Sequence, residues 1–230
     1  MHKQICHLKQ GINPTGFLSF QSFLLVIALI TGMAMSLKSA GVAHAEGPNA
    51  IVNLAGCTTN TLPIPANDDG YTAAIGLPFT LNFFGNNYGA LFVNNNGNVT
   101  FDRTMSTFTP FDLQSTTRVI IAPFFADVDT RGTGSGVVTY GATTYGGRSA
   151  FCVNWVNVGY FSSYTDKLNS FQLLLVERFD TGSGNFDIIF NYDKIQWETG
   201  SASGGSGGLG GSSARIGYSN GVSTSFELPG

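Results

Sequence analysis

The stretch SFQLLLVERFDTGSGNFDIIFNY, residues 170–192, decides the fold class. It contains two runs rich in apolar, β-branched and aromatic residues, Ser170–Phe179 and Asn185–Tyr192. Between them lies Asp180-Thr181-Gly182-Ser183-Gly184, a segment made of turn-forming residues. Two such runs joined by a short Gly-containing loop predict a β-hairpin.

The second run of this hairpin alternates between apolar and polar residues, and only Ile189 breaks the alternation. Its apolar positions are Phe186, Ile188, Phe190 and Tyr192, and its polar positions are Asp187, Asn191 and Asp193. A period of two is typical of a strand with one buried face and one solvated face. We therefore expect the apolar side to face the core and the polar side to face water.

Similar short runs, bounded by Gly, Asn, Asp and Pro, continue on both sides of the hairpin. The predicted strands are Leu77–Phe84, Ala90–Val93, Asn98–Phe101, Val119–Ala122, Gly136–Tyr140, Ala150–Val158, Ala214–Tyr218 and Ser223–Leu228. Predicted turns lie at Gly85–Tyr88, at Asn94-Asn95-Asn96-Gly97 and at Asn220-Gly221, and no helix is predicted. About ten short strands favour an all-β fold, a single antiparallel β-sandwich domain.

The N-terminal 45 residues have the features of an export signal. Basic Lys3 and Lys9 precede an apolar run, residues 17–35, and Ala43-His44-Ala45 is a small-x-small cleavage site. Cleavage would release a secreted or extracellular protein, whereas retention would leave a membrane anchor. We assign residues 1–45 to this signal, residues 46–66 to an N-terminal lead-in and residues 67–230 to the sandwich.

Charge and histidine content exclude two function classes for the part that follows the leader. Of 11 basic residues, Lys3, Lys9 and Lys38 belong to the leader, which leaves 8 against 14 acidic residues and a net charge of −6. Such a surface repels phosphate backbones, so nucleic acid is not an expected partner. All three histidines lie in residues 1–45. His-based triads and His-ligated metal sites are therefore excluded, and no catalytic residue or organic cofactor is predicted.

Cys57 and Cys152 are the two cysteines outside the leader. In an oxidising compartment such a pair favours one disulfide, and the alternative is two separate buried thiols.

Several motifs occur in the same order as in the nidogen-like (NIDO) domain family, which the chain resembles from residue 67 onwards. They are Asn67-Asp68-Asp69-Gly70, Phe83-Phe84-Gly85, Val93-Asn94-Asn95-Asn96-Gly97, Pro123-Phe124-Phe125-Ala126-Asp127-Val128-Asp129, Trp155-Val156-Asn157-Val158-Gly159-Tyr160-Phe161 and Ile195-Gln196-Trp197. The resemblance implies an extracellular, non-catalytic module associated with cell–matrix adhesion.

Asp127 and Asp129 are the first candidate site. On an extended strand their side chains would leave the same face with Cβ atoms about 7 Å apart. Three interpretations remain open: a structural turn, a Ca²⁺ site completed by other oxygens, and an acid–base pair as in inverting glycosidases. Asp68-Asp69-Gly70 is a second acidic turn. It is interpreted either as a loop between strands or as a turn that binds a cation.

Trp197 and Tyr160 are the candidate ligand-contact aromatics, with core packing as the alternative. The Gly-rich segment 201–211 is interpreted either as a flexible loop or as a close-packed turn. The leading function is binding of an extracellular protein or matrix ligand. The second is a lectin-like module that binds glycans with Ca²⁺ dependence.

Overall fold

The computed structural model describes residues 4–6, 49–57 and 62–228, with the backbone alone at 4–6 and 62–63. Its thirteen strands in chain order are β1 Gln4–Cys6, β2 Leu62–Pro63, β3 Ile75–Phe83, β4 Asn86–Asn94, β5 Asn98–Thr100, β6 Val119–Phe125, β7 Val128–Asp129, β8 Thr139–Tyr145, β9 Arg148–Tyr160, β10 Tyr164–Glu177, β11 Phe186–Lys194, β12 Arg215–Asn220 and β13 Ser225–Glu227. Two single 3₁₀ turns, Phe179–Thr181 and Ser201–Ser203, complete the elements. Apart from Gln4–Cys6, the predicted leader lies outside the described residues.

The strands form two antiparallel sheets packed as a β-sandwich, which confirms the predicted fold class. The first sheet has the order β1-β11-β10-β9-β8-β2, with β7 also paired to β9. The second has the order β13-β12-β6-β5-β4-β3. Sequential neighbours such as β9, β10 and β11 pair because short loops join adjacent antiparallel strands.

The core lies between the sheets and is rich in aromatic rings. Phe124 of β6 contacts Phe171 of β10 with ring centroids 5.2 Å apart, and Phe171 stacks on Trp155 of β9 at 5.0 Å. The hydroxyl of Tyr192 on β11 donates to the carbonyl of Pro123 on β6 across 2.6 Å. Aromatic contacts and this hydrogen bond therefore join the two layers.

The predicted hairpin is present as β10 and β11, with Leu173 opposite Phe190 and Leu175 opposite Ile188. Its four predicted core side chains on β11 are all buried. The predicted wet face is correct for Asp193, which is exposed, but wrong for Asn191, which is fully buried. Segment 49–57 covers this face, and Ile189 packs there against Cys57 and Cys152.

Buried polar side chains on that outer face hydrogen-bond to the covering segment and to one another. Gln172 Oε1 accepts from Val52 N and Gln172 Nε2 donates to Val52 O, at 3.1 and 2.9 Å. Asn191 and Asn154 both hydrogen-bond to the Gln172 amide, and Asn154 also donates to the carbonyl of Cys57. These bonds reduce the cost of burying the three amides, of which Asn191 keeps an Oδ1 that accepts no hydrogen bond from the described residues. The segment assigned to the lead-in thus packs on the sandwich.

Cys57 and Cys152 form a disulfide, with Cα atoms 5.9 Å apart and both side chains fully buried. The bond fastens the covering segment to β9. Of the two alternatives raised by the sequence, the structure has the disulfide.

Two predicted turns differ in detail from the observed ones. The turn predicted at Gly85–Tyr88 is instead the two-residue loop Phe84-Gly85, because β4 already begins at Asn86. Both loop residues have positive φ, as a two-residue hairpin with the strand twist requires. In the Asn94–Gly97 turn, only Gly97 has a positive φ, of 72°.

Candidate functional site

The β4–β5 turn organises one end of the sandwich through three buried asparagines, Asn94, Asn95 and Asn96. Asn95 Nδ2 donates to the carbonyls of Asp68 and Val128, at 2.5 and 2.6 Å. Asn96 Nδ2 donates to Asp69 Oδ1 at 2.8 Å, while Asn96 Oδ1 accepts from Val128 N at 2.9 Å. The asparagine side chains therefore hold segment 67–70 against the junction of β6 and β7.

This arrangement gathers three carboxylates from two distant parts of the chain. Asp68, Asp69 and Asp127 each offer one oxygen, and these oxygens all lie within 4.8 Å of one another. Asp127 is 1% exposed, and its Oδ2 accepts no hydrogen bond from the described residues. Gly200 lies directly over this oxygen, since a Cβ atom at Gly200 would overlap it. We call these three residues the acidic cluster.

Asp129 does not belong to the acidic cluster. Arg131 binds its carboxylate with two side-chain bonds, Nε to Oδ1 at 2.8 Å and a terminal NH₂ to Oδ2 at 2.6 Å. The backbone N–H of Ser163 donates to Asp129 Oδ2 at 2.8 Å. Asp129 is fully buried and both of its oxygens are used. The sequence singled out Asp127 and Asp129 as a pair, whereas the structure joins Asp127 to the second acidic turn.

Burial and neighbouring charge act strongly on these carboxyls. Burial first, and then the charges of Asp68, Asp69 and Asp129, raise the pKa of Asp127 to about 7. Burial, together with Asp129 and Asp69, likewise raises the pKa of Asp68 to about 6 despite the nearby Arg131. Burial opposes ionisation of Asp129 too, but hydrogen bonds from Arg131 and Ser163 hold its pKa below the usual value.

An open cleft of about 610 Å³ is lined in part by Ser201, the chain neighbour of the Gly200 that lies over Asp127 Oδ2. Its lining includes Tyr160, Tyr164, Asp166 and the backbone of Gly205 and Gly207. The connecting segment 161–163 joins cleft and cluster, because Phe161 N donates to the carbonyl of Asp127 at 3.2 Å. The cleft and the acidic cluster are therefore both in contact with segment 161–163.

The two predicted ligand-contact aromatics have different positions. Trp197 is 1% exposed, packs edge-on against Phe124 and donates its indole N–H to Val158 O at 3.1 Å. It is a core residue, so the interpretation of Trp197 as a ligand contact is corrected. Tyr160 is also buried but has one edge in the cleft, where its hydroxyl donates to Asp166 Oδ1 at 2.9 Å. The exposed ring is that of Tyr164, which stacks on Tyr160 at 5.2 Å.

Comparison with known proteins gives a consistent family assignment. The family model described as "Nidogen-like domain" matches residues 89–230. The chain belongs to the nidogen-like domain family. Mouse and human alpha-tectorin are each 37% identical over 195 residues, which covers 74% of this chain and 9% of theirs. Fruit fly nidogen is 31% identical over 132 residues, covering 47% of this chain and 10% of its own.

This nidogen-like chain therefore spans about a tenth of the length of the relatives it matches. Alpha-tectorin and nidogen are extracellular matrix proteins, and the nidogen-like domain is a matrix-related module. No solved structure gives a significant match. Among the described residues, no helix has the length and apolar character needed to cross a bilayer.

The Gly-rich segment of this nidogen-like domain is a close-packed turn, the second of the two alternatives. Ser206 and Leu209 exchange backbone hydrogen bonds of 2.9 and 3.2 Å. A Cβ atom at Gly208, where φ is 84°, would lie 2.8 Å from the Trp197 Cβ. Glycine allows the loop to lie directly on the buried tryptophan, and the loop therefore forms one wall of the cleft.

Proposed function

We propose that this chain is an exported binding module that docks an extracellular matrix protein at the cleft between Tyr164 and the Gly-rich segment, and that the docking serves cell–matrix adhesion. The single observation that carries the proposal is family membership, because the nidogen-like domain is a matrix-related module. The buried disulfide supports export, since such bonds persist in oxidising compartments.

The chemistry of the cleft supports docking of a polypeptide. Tyr164 is 51% exposed and Leu209, in the turn that begins at Ser206, is 58% exposed. The cleft lining also contains Asp166 and Ser163, which supply hydrogen-bonding side chains. Exposed aromatic and aliphatic groups around polar anchors are typical of protein-binding surfaces.

The test is solid-phase binding of the full chain to a surface coated with matrix extract. We expect Tyr164→Ala and Leu209→Ser each to weaken binding by about 10-fold, because each removes an exposed apolar group from the cleft lining or from the turn that begins at the lining residue Ser206. Val222→Ser is the matched control, since Val222 is 90% exposed but lies in the β12–β13 turn, outside the cleft. Equal binding by all four proteins would refute the proposed surface.

A glycan is the second candidate ligand, favoured by the exposed face of Tyr164 stacked on Tyr160. Such a ring provides a stacking platform for a sugar. Treating the coated extract separately with protease and with glycosidases distinguishes the candidates. Loss of binding after protease alone supports a protein ligand, and loss after glycosidase treatment alone supports a glycan.

A further inference from the structure

The acidic cluster has the dimensions of a calcium site. Ca²⁺ takes six to eight oxygen ligands at about 2.3–2.6 Å, so two of its ligand oxygens can be up to about 5 Å apart. The three cluster oxygens lie within 4.8 Å of one another and thus fit around one ion. They come from segment 67–70 and from the β6–β7 junction, which the buried Asn95 and Asn96 side chains hold together.

Besides Asp68 Oδ1, two further buried oxygens at this place accept no hydrogen bond from the described residues. One is Oδ2 of Asp127, a residue 1% exposed whose carboxylate faces Asp68 and Asp69. The other is Oδ1 of Asn95, a fully buried side chain whose Nδ2 donates to the Asp68 carbonyl. Buried oxygens without partners are rare in folded proteins and call for a specific explanation, of which a bound ion is one.

Positive charge in the surroundings is too small to balance the carboxylates. Arg131 is the cation that contacts this group, and its guanidinium is committed to Asp129 through two hydrogen bonds. A single further bond of 3.0 Å reaches Asp68 Oδ2. Within the part of the chain that the structure describes, no cation bonds to Asp127, although an unpaired buried carboxylate is costly. A divalent cation would provide the missing charge.

We propose that Asp68, Asp69 and Asp127 bind one Ca²⁺ ion, with Asn95 Oδ1 and solvent as further oxygen donors. Oxygen ligands without sulfur or imidazole select a hard cation. Mg²⁺ binds oxygens at about 2.0–2.1 Å in a stricter octahedron, so its ligand oxygens lie at most about 4 Å apart. Ca²⁺ accepts irregular oxygen sets and any separation up to the 4.8 Å limit within which the three cluster oxygens lie. Asp129 acts by positioning Arg131 and is not a ligand. Ca²⁺ binding at this site does not depend on the proposed matrix binding.

Calorimetric titration of the chelator-treated full chain with CaCl₂ tests the site directly. We expect one saturable ion with a dissociation constant of about 0.1–1 mM, the range of extracellular calcium modules. Free Ca²⁺ at about twenty times this constant should raise the melting temperature by about 4–7 degrees. No saturable binding up to about 10 mM CaCl₂ by a folded protein would overturn the proposal. Equal affinity for MgCl₂ would overturn the assignment to Ca²⁺.

Three substitutions locate the ion. Asp127→Asn and Asp69→Asn should each weaken Ca²⁺ binding at least about 10-fold, because a charged ligand is replaced by a neutral one of the same shape. Asp193→Asn, at an exposed position on β11, should leave binding unchanged. In excess chelator, Asp127→Asn should melt at or above the wild-type temperature, since it removes an unpaired buried charge. Wild-type affinity in both cluster variants would refute the assignment of ligands.

Discussion

The indole N–H of Trp155 donates a hydrogen bond to the backbone carbonyl of Asn95 across 2.9 Å, and both residues are fully buried. The bond ties β9 of one sheet to the β4–β5 turn of the other. The Asn95 side chain in turn donates to the Asp68 and Val128 carbonyls. The Trp155 hydrogen bond therefore also helps to fix the position of the acidic cluster.

Trp155→Phe should therefore destabilise the domain. It removes one of the two hydrogen bonds that the Asn95 carbonyl accepts, the other coming from Gly97 N, and leaves a void where the second ring was. Together these losses cost about 2–4 kcal/mol of unfolding free energy. Urea denaturation followed by fluorescence of Trp197 measures this loss. Phe226→Leu serves as the control, since Phe226 is 39% exposed and its replacement should change stability by less than about 0.5 kcal/mol. A Trp155→Phe loss as small as that of the control would contradict the role of the bond.

Removal of the Cys57–Cys152 disulfide should strongly destabilise the folded domain. The disulfide closes a loop between residues 95 positions apart. The chain-entropy model assigns such a cross-link a contribution of about 4–5 kcal/mol to the free energy of unfolding. Cys57→Ala combined with Cys152→Ala should lower the urea midpoint accordingly. Alkylation of the unreduced wild-type protein checks the premise, because labelling of two thiols would show that the bond is absent.

The hairpin β10–β11 was predictable because its signal is local. Apolar residues at every second position of 186–192 mark the core face, and all four are buried in the structure. The opposite face could not be predicted in the same way. Asn191 is polar but buried, because its Nδ2 donates to Gln172, which in turn holds the covering segment at Val52. Residues 52 and 172 are 120 positions apart.

The candidate site, too, could be predicted from the sequence only in part. Asp127 and Asp129 could be singled out from their spacing and from the strand before them. Their separate environments could not, because they depend on Arg131 turning back onto Asp129 and on segment 67–70 meeting Asp127. Burial of Trp197 under the Gly-rich turn also depends on tertiary packing, for which a single tryptophan near a loop gives no local signal.

Gly97→Ala should prevent stable folding. The residue has a φ of 72°, which disfavours any side chain, and an added Cβ would overlap the carbonyl oxygen of Phe124. The overlap involves backbone of β6, which cannot move aside cheaply. We expect little or no soluble folded protein, as measured by circular dichroism and by secreted yield.

Gly85→Ala is the matched control for Gly97→Ala. Gly85 also has a positive φ, of 93°, but, apart from its two chain neighbours, no atom of the described residues lies within 4 Å of the position that a Cβ would occupy. The expected cost is the backbone strain alone, about 1–2 kcal/mol. Similar folded yields for both variants would show that the contact with Phe124 is unimportant.

Acid stability should depend in part on Asp180, in the turn between β10 and β11. Hydrogen bonds from Arg178, followed by the charge of Arg148, lower the pKa of Asp180 to about 2. A carboxyl whose pKa is lower in the folded state contributes stability above its unfolded value near 4 and loses it as the pH falls towards 2. Asp180→Asn should therefore melt below the wild type at pH 5, and the two melting temperatures should converge by pH 2. Because the pair is exposed, 1 M NaCl should shrink the difference at pH 5. A difference that is constant from pH 5 to pH 2 would show that the ion pairs of Asp180 do not contribute.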